Sequence, residues 1–284
     1  MVKIISDSTC DLPKALAEQF DIDIIPLHIV LGDEEYRDGV DITKEDIFSW
    51  ADKNKTTPKT AAVSITDVID CVGKYVKEGR EVICFHISES MSTTGNVMRL
   101  AVEELEAEDK VTVINSANLS TGISLLVLEA ARMAQEGKSV AEIVKTIEET
   151  IPLVRSSFVV DTLVYLHRGG RCSGLAAMAG GALKLHPRIA VENGKMTPGK
   201  KYRGNIDKVV KAYVKDMEEE LKKARPDNIF ITHSGCDATL VDEVRTYLES
   251  LGVFQNIYEA VTGGVIASHC GPGTLGVLYI VNEA

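Results

Sequence analysis

The stretch CFHISESMSTTGNVMRLA, residues 84–101, joins an apolar run to a helical pattern through a turn that is rich in hydroxyl groups. Five hydroxyl side chains lie within seven residues of this turn: Ser88, Ser90, Ser92, Thr93 and Thr94. The apolar residues before them predict a buried strand, and the apolar spacing after Gly95 predicts a helix. The turn therefore follows the carboxyl end of a strand, where open α/β sheets bind ligands.

Three functions compete for these hydroxyls. Helix capping explains one or two of them, because a cap satisfies few amide groups. A serine nucleophile is the second, with Ser92 attacking and His233 or His269 as base, although Ser90 and Thr94 replace the glycines of a hydrolase elbow. The third is a cradle for a carboxylate or phosphate, formed by neutral hydroxyls and by the free N–H groups of a helix start. The residues favour the cradle and leave the other two open.

The composition limits the class of protein further. The chain has 284 residues, 45% of them hydrophobic, as in a globular protein with a substantial core. Its net charge of −11 argues against a nucleic-acid partner. No apolar run is long enough to span a membrane, and MVKIISDS at the start predicts a strand and not a signal peptide. The six cysteines lack metal-site spacing, so we expect no metal and a reducing, cytoplasmic location.

Short β-branched runs alternate with helical patterns along the chain. This alternation predicts an α/β fold with parallel strands, and the wholly apolar strands indicate sheets covered on both faces. Ser139 and Glu142 form the signature of a capping box. A change of composition near residue 155 predicts two domains, residues 1–155 and 156–284. Helices are predicted near residues 12–20, 43–53, 66–79, 95–107, 118–136, 139–152, 205–224 and 238–251.

Two glycine-containing segments imitate nucleotide-binding motifs. GKMTPGKK, residues 194–201, has Lys201 where a P-loop needs Ser or Thr, and we interpret it as a basic turn between two strands. GPGTLG, residues 271–276, spells the dinucleotide fingerprint, but a strand follows it where the fingerprint requires a helix. We therefore expect no nucleotide at either segment, and we predict no cofactor.

Six motifs resemble those of the DegV family, which includes the fatty-acid-binding subunits of bacterial fatty acid kinase. They occur in the family's order between residues 6 and 276. The motifs are SDSTCDLP, PKTAAVS, ISESMSTTGNVMRLA, LVYLHRGGRCSG, KYRGN and SHCGPGTLG. The resemblance implies two α/β domains with a long-chain fatty acid between them, an apolar tunnel for the acyl chain and no catalytic residue.

The resemblance also implies roles for residues that occupy the motif positions. Thr60 and Ser92 are the implied carboxylate ligands, and His269 lies near the head group. Thr93 is expected to donate its backbone N–H, and Ala61 lies beside Thr60. The implied ligands are acids such as palmitate, stearate or oleate. A binder of another small carboxylate or phosphate remains an alternative.

The resemblance further implies a protein partner. In the family a separate ATP-dependent kinase converts the bound acid to an acyl-phosphate, and Arg171 and Arg203 resemble arginines at the rim where that kinase engages. Membrane contact is expected to be transient. Asp7 and Ser8 are expected to cap the next helix or to support Thr60. Residues 124–134 and 174–185 are candidates for the tunnel wall, although both are also typical of close helix packing.

Several positions depart from the family pattern. Ala61, Ala62 and Val63 replace Ser-Gln-Pro in the threonine motif, and Gly95 replaces an aromatic residue. Glu89 replaces a serine three positions before Ser92. A carboxylate at that position repels a bound carboxylate unless it faces solvent or pairs with Arg171, and the sequence leaves both alternatives open.

Overall fold

The computed structural model describes residues 1–172 and 185–283 of the chain. Within these ranges strands and helices alternate as the sequence predicts, so the α/β class is confirmed. The strands are β1 (Lys3–Asp7), β2 (Ile22–Ile25), β3 (His28–Leu31), β4 (Glu34–Arg37), β5 (Lys59–Ala61), β6 (Val82–His86), β7 (Val111–Asn115), β8 (Val154–Val159), β9 (Leu185–Glu192), β10 (Lys195–Arg203), β11 (Ala224–His233), β12 (Asn256–Val261) and β13 (Leu275–Val281).

The helices lie close to their predicted positions, with two differences. The helices are α1 (Lys14–Gln19), α2 (Lys44–Asn54), α3 (Ile65–Lys77), α4 (Thr94–Glu104), α5 (Thr121–Gln135), α6 (Val140–Thr150), α7 (Val164–Gly169), α8 (Ile206–Asp216), α9 (Glu218–Leu221), α10 (Ala238–Ser250) and α11 (Gly264–Cys270). The helix predicted over 205–224 is interrupted at Met217, and neither α7 nor α11 was predicted. The capping box of Ser139 and Glu142 is confirmed at the start of α6. None of these helices is long and apolar enough to cross a membrane, as far as the described residues extend.

The first sheet is parallel and has the strand order β2-β1-β6-β7. Alternate side chains of its central strands enter two different cores. Ile4 and Phe85 pack in the core that contains α5, whereas Ile5 and Cys84 pack with residues of α3 and α4. The sheet is therefore covered on both faces, as its apolar strands indicate.

The second sheet has six strands in the order β10-β9-β8-β13-β11-β12. Only β11 and β12 pair in parallel, and the other neighbours are antiparallel, so the prediction of parallel strands is wrong for most of this sheet. The error has a physical reason. Helix α5 covers one face of the sheet, and helices α8 and α10 cover the other. A strand that is buried on both faces has the same apolar sequence pattern whether its neighbours are parallel or antiparallel.

Helix α5 lies between the two sheets, and twelve of its fifteen residues are buried. Its core includes Ile4 and Phe85 of the first sheet and Phe158 and Leu278 of the second. The second sheet begins with β8 at Val154, one residue from the predicted boundary. The division into two domains, 1–155 and 156–284, stays a prediction.

A small antiparallel sheet of order β4-β3-β5 completes the architecture near the site. Its strand β5 carries Thr60, which pairs with Ile29 of β3. Helices α2 and α11 pack together, and α11 also packs on β3 and β5. This arrangement brings a threonine from the first quarter of the chain against a helix from the last tenth.

The two nucleotide-like segments do not adopt nucleotide-binding structures. In GKMTPGKK, Gly194 lies in the turn after β9 with φ of +78°, and the remaining residues belong to β10. The interpretation as a turn is therefore wrong for all but its first residue, because the pairing of β10 with β9 overrides the Pro and Lys content. GPGTLG forms the loop after α11 and leads into β13, which confirms the predicted strand.

Candidate functional site

A cavity of about 500 Å³ lies beside the hydroxyl-rich turn, β5 and α11. Its volume is within the range usual for small-molecule sites. One part of the wall is apolar and draws on both halves of the chain, including Leu27, Ile87, Met91, Leu119, Met196, Val265 and Ile266. Another part is polar and consists of Thr60, Glu89, Ser90, Ser92, Thr93, Arg171 and His269. The site thus combines a hydroxyl-rich end with an apolar interior.

Six of the seven predicted site residues line this one cavity. They are Thr60, Ala61, Ser92, Thr93, His269 and Arg171. Arg203 is exposed at the end of β10 and does not belong to the wall. The structure therefore brings together the residues assigned to the ligand, together with one of the two arginines assigned to a partner.

Thr60 and His269 form the first polar pair of the site. Thr60 Oγ1 lies 2.8 Å from Nε2 of His269, and Nδ1 of His269 has no hydrogen-bond partner in the described part of the chain. A buried N–H without a partner is rarer than an unused lone pair, which favours the tautomer with its proton on Nε2. His269 then donates to Thr60, and the Thr60 hydroxyl can donate to a ligand.

Burial keeps His269 neutral. Desolvation, with a smaller contribution from the charge of Arg171, lowers the pKa of His269 to about 4. The imidazole is therefore uncharged near pH 7. Thr60 and its histidine partner offer a neutral hydrogen-bond donor, which can bind a carboxylate without neutralising its charge.

The hydroxyl-rich turn forms the second polar group. Ser92 Oγ accepts the N–H of Thr94 at 3.2 Å and lies 2.9 Å from Thr94 Oγ1. If Thr94 donates to Ser92, the Ser92 proton remains for a ligand. The amide N–H of Thr93 donates to no acceptor within residues 1–172 or 185–283. The start of α4 is therefore only partly capped and lies open to the cavity.

Other hydroxyls of the turn have structural partners. Ser88 is buried and donates to the carbonyl oxygen of Gly194 at 2.6 Å, which ties the turn to the β9–β10 hairpin. The cluster is thus divided between support of the turn and groups that face the cavity. Asp7 accepts the N–H of Thr9 and caps the following 3₁₀ turn, as expected. Neither Asp7 nor Ser8 is hydrogen-bonded to Thr60, so the expected support of Thr60 is wrong.

Gly95 has a steric explanation. A Cβ atom at this position would lie 2.4 Å from Cε1 and Nε2 of His86. His86 is fully buried, its Nδ1 lies 2.6 Å from the Ile87 carbonyl oxygen, and burial lowers its pKa. The imidazole thus fills the space beneath the first turn of α4. Sequence reasoning missed His86, because nothing in the pattern links it with a glycine nine residues later.

Glu89 is exposed and pairs with an arginine other than Arg171. Its Oε1 accepts from Arg99 at 2.8 Å, and Arg99 also donates to Asn96 at 2.6 Å. Arg171 instead donates to the carbonyl of Gly169 at 2.7 Å, so the structure shows the solvent-facing alternative and not the pair with Arg171. Arg99 lies on α4, which begins within the same turn and holds the guanidinium beside Glu89. This pair offsets the negative charge at the cavity wall.

The histidines lie in the wrong places for a serine nucleophile. His269 is paired with Thr60, and His233 contacts Glu259 at 3.3 Å and the N–H of Cys236 at 3.2 Å. Neither is hydrogen-bonded to Ser92, although a nucleophilic serine needs an adjacent base. The described residues also contain no cluster of three metal-ligating side chains. The geometry favours binding over hydrolysis.

Of the two candidate segments for the tunnel wall, the one that the structure describes does not line the cavity. Residues 124–134 belong to α5 and do not line the cavity, because α5 is packed between the two sheets. The segment 174–184 lies outside the described residues. The observed apolar wall comes instead from single residues of several elements, which no continuous sequence pattern marks.

The fold and this cavity define an α/β protein with a cavity of a size usual for a small-molecule site. The family model for uncharacterised proteins of the DegV family matches residues 1–282. The chain belongs to the DegV family.

Known proteins of this family are similar along the full length of the chain. A DegV domain-containing protein of Clostridium acetobutylicum is 34% identical over 279 residues, which cover 98% of each chain. The solved structure of a fatty-acid-binding DegV family protein from Thermus thermophilus has a TM-score of 0.90 at 28% identity, over 99% of both chains. A stearic-acid-binding protein from Eubacterium ventriosum has a TM-score of 0.87 at 29% identity, over 99% of this chain and 98% of that one. The fold is therefore that of the DegV proteins.

Proposed function

We propose that the chain binds a long-chain fatty acid in this cavity and presents its carboxylate to a separate kinase. The observation that carries this proposal is that Thr60 and Ser92, 32 positions apart in the sequence, line one cavity together with many apolar side chains. The relatives from Thermus thermophilus and Eubacterium ventriosum are described as binding fatty acid and stearic acid. Those descriptions support the same ligand class here, with palmitate, stearate or oleate as candidates.

The head group is held by neutral donors in this proposal. The hydroxyls of Thr60 and Ser92 and the N–H of Thr93 donate to the carboxylate, and Ala61 lies beside them. His269 orients the Thr60 hydroxyl from behind. Neutral donors bind the carboxylate less strongly than a buried pair of arginines would, and they cover less of it. Binding by such a pair would hinder transfer of the carboxylate to an enzyme.

The acyl chain supplies most of the affinity. Burial of about fourteen methylene groups gains roughly 11 kcal/mol before the cost of association, at about 0.8 kcal/mol each. Each neutral hydrogen bond contributes only about 1 kcal/mol. The apolar wall therefore sets how tightly the acid binds, while Thr60 and Ser92 set the position and direction of its carboxylate.

The chemistry is performed by the partner and not by this chain. An ATP-dependent kinase would phosphorylate the exposed carboxylate, with Arg171 at the cavity rim and Arg203 on the surface of β10 as its contacts. Arg171 is exposed and lines the cavity, which supports the assignment more strongly than the position of Arg203 does. Membrane contact is transient in this proposal, and the cytoplasmic location stays a prediction.

Lipid extraction tests the binding function directly. The purified protein is denatured, its lipid is extracted, and the acids are identified and counted by mass spectrometry. We expect about one long-chain acid for each chain, and uptake of palmitate or oleate by protein stripped of lipid. Protein that carries no acid and takes up neither one would refute the proposal. Ester turnover that is lost in Ser92→Ala would favour a hydrolase instead.

The partner function needs a separate test. Arg171→Ala should retain its fatty acid but slow acyl-phosphate formation by the cognate kinase at least tenfold, because a rim contact to the partner is lost. Arg80→Ala is the matched control, because Arg80 lies just before β6, whereas the cavity lies beside the turn that follows this strand. Loss of lipid from Arg171→Ala with normal kinase coupling would move this arginine from the partner surface to the ligand site.

A further inference from the structure

Helix α11 forms one wall of the cavity. Four of its seven residues line that cavity, namely Val265, Ile266, His269 and Cys270. The helix packs on α7 and also on α2, β3, β5 and the 3₁₀ turn at Ser8–Cys10, and these last four elements all precede residue 62. The place of this wall therefore depends on contacts with a distant part of the sequence.

Two carboxylates from that distant part hold the start of α11. The N–H of Gly263 donates to Asp11 Oδ1 at 2.7 Å, and the N–H of Gly264 donates to Asp38 Oδ1 at 2.7 Å. Such amides at a helix start have no partner within the helix. An ionised acceptor makes each of these hydrogen bonds stronger than a neutral one.

The second oxygen of each carboxylate is also bound. The Ser120 hydroxyl donates to Asp11, and the Ser8 hydroxyl donates to Asp38 Oδ2 at 2.8 Å. Ser8 Oγ in turn accepts the N–H of Leu27 at 3.1 Å, and Leu27 lines the cavity. The contacts of Asp38 thus connect two separate parts of the cavity wall.

The glycines at the start of α11 leave no substitute for these acceptors. A Cβ atom on Gly264 would lie 2.6 Å from Cδ1 of both Ile29 and Ile47, and one on Gly263 would lie 3.2 Å from Asp38 Oδ2. The backbone must therefore approach the carboxylates directly. A side chain at Gly264 is excluded, and one at Gly263 would crowd the carboxylates of Asp11 and Asp38.

The two carboxylates are buried without a cation. Asp11 is 7% exposed and Asp38 is 3% exposed. Neither forms an ion pair with a Lys or Arg residue in the portions of the chain that are described. Their charge is therefore offset chiefly by amide and hydroxyl donors, and the N–H groups of α11 are among the main ones.

We propose that Asp11 and Asp38 are positioning residues of the ligand cavity: they hold the start of α11 and thereby set how fast a ligand exchanges past that wall. The ligand in this statement rests on the proposed function. The hold on α11 does not, and it can be measured without any ligand.

The surroundings of the two carboxylates make the hold sensitive to pH. Burial raises the pKa of Asp11 well above its usual value and raises that of Asp38, and nearby Asp7 has a pKa of about 6. The other titratable groups nearby are the thiols of Cys10 and Cys270, both with raised pKa, and His269 on α11 itself, which stays neutral above its pKa of about 4. Lys14 and Glu259 line the adjoining surface groove.

Acidification should loosen α11 without weakening the fold as a whole. Acidification protonates more of these buried carboxyl groups, and an uncharged acceptor binds the α11 amides less strongly. A raised pKa in the folded state means that the same protonation favours folding and that this contribution is lost as the pH rises. On acidification we therefore expect more frequent local opening of α11 together with a larger contribution of these carboxyl groups to the free energy of unfolding. If Asp11 and Asp38 acted only on overall stability, acidification would make the fold more stable and the opening of α11 less frequent.

Amide hydrogen exchange over residues 262–272 tests the hold on α11. Asp38→Asn keeps the size of the side chain but removes its charge, and we expect about tenfold faster exchange in this segment. Asp237→Asn is the matched control, because Asp237 caps α10 through the N–H of Thr239 outside the cavity. Ser120→Ala, which removes only one donor to Asp11, gives a milder second variant. In the parent, exchange corrected for its intrinsic rate should rise between pH 8 and pH 6, and Asp38→Asn should flatten that rise.

Ligand exchange tests the second half of the proposal. Dissociation of a fluorescent fatty acid should accelerate in Asp38→Asn by a factor similar to that of α11 opening, and should not change in Asp237→Asn. Unchanged exchange over residues 262–272, or an equal rise throughout the molecule, would overturn the hold. Faster opening with unchanged ligand dissociation would overturn its link to the cavity. A parent protein that binds no fatty acid would refute the proposed function, while the exchange data would still decide the hold on α11.

Discussion

The starts of helices α4 and α11 lie beside the same cavity, but their amide groups are satisfied in opposite ways. At α11 the protein supplies two buried carboxylates, Asp11 and Asp38, and both first amides are bound. At α4 the nearest acceptor is the neutral hydroxyl of Ser92, and the Thr93 N–H has no acceptor among the described residues. Both helix starts have backbone N–H groups without partners in the helix, but only at α11 are these groups bound by carboxylates of the protein itself.

This difference explains which helix end can receive a ligand. Every helix start carries N–H groups that attract an anion. When internal carboxylates occupy those groups, the helix end becomes part of the structure. When neutral hydroxyls leave some of them open beside a cavity, an external carboxylate can bind. The number of nearby hydroxyl groups does not decide whether a helix start can bind a ligand. Hydroxyl groups lie near both helix starts, and at α11 those of Ser8 and Ser120 donate to the two carboxylates.

The largest effect should come from charging His269, which lies on α11 and is hydrogen-bonded to Thr60 at the cavity wall. The pKa of His269 is lowered to about 4 from an ordinary value near 6.5, so its contribution to stability is present above pH 6.5 and is lost as the pH falls toward 4. We expect a loss on the order of 3 kcal/mol across that range. Urea unfolding at pH 7 and pH 4, compared between the parent and His269→Gln, measures it. An identical pH dependence in both proteins would contradict the assignment.

A smaller loss should follow when the support beneath α4 is disturbed. Gly95→Ala places a Cβ atom against the ring of His86 and should lower the free energy of unfolding by about 2 kcal/mol, although alanine ordinarily favours helix. Asn96→Ala, at an exposed neighbouring position, is the control. Because the clash needs both residues, His86→Ala combined with Gly95→Ala should lose less than the sum of the single changes. Additive losses would remove His86 from the explanation.

The open end itself can be tested through the ligand. Ser92→Ala should weaken palmitate binding about tenfold, because one donor to the carboxylate is lost, and should lower stability by no more than about 1 kcal/mol. Binding of hexadecanol, which has no carboxylate, should change less. Ser49→Ala, which removes an exposed hydroxyl on α2 outside the cavity wall, should leave both affinities nearly unchanged. Equal losses for acid and alcohol would show that Ser92 does not select the carboxylate.

The smallest effect concerns the acid next to the open end. Glu89→Gln should strengthen palmitate binding up to about threefold, and Arg99→Ala should weaken it by a similar factor, since partly exposed ion pairs contribute less than 1 kcal/mol. Both effects should shrink at high salt. Glu103→Gln, an exposed change further along α4, is the control. Weaker binding by Glu89→Gln would mean that Glu89 supports the site and does not oppose the ligand.

The sequence predicts much of the fold because its longer helices carry strong periodic and capping signals. The capping box at Ser139 and the ranges of α2, α3, α5 and α10 agree with the structure within a few residues. Helix α11 was missed because seven residues that open with glycine carry too little pattern. Strand β10 was missed because its Pro198 and lysines obscure a strand that tertiary pairing stabilises.

Local sequence patterns predict only part of the candidate site as well. The hydroxyl cluster marks the open helix end, since those residues are adjacent in the sequence. The contact between Thr60 and His269 joins residues 209 positions apart, and no local pattern reports it. Only the order of the family motifs indicates that Thr60 and His269 belong to one site. The pairing of Glu89 with Arg99 was not predicted, because the geometry of the turn decides which arginine is near.

The position of β13 in the second sheet also bears on how the protein is made. This strand, the last to be synthesised of those described, pairs with β8 on one side and β11 on the other. Until Leu275–Val281 has left the ribosome, the two parts of the sheet cannot join, and the face of α5 that packs against Leu278 stays uncovered. Until then the nascent chain carries an exposed apolar surface. A chain that stops before Leu275 would be released in that state.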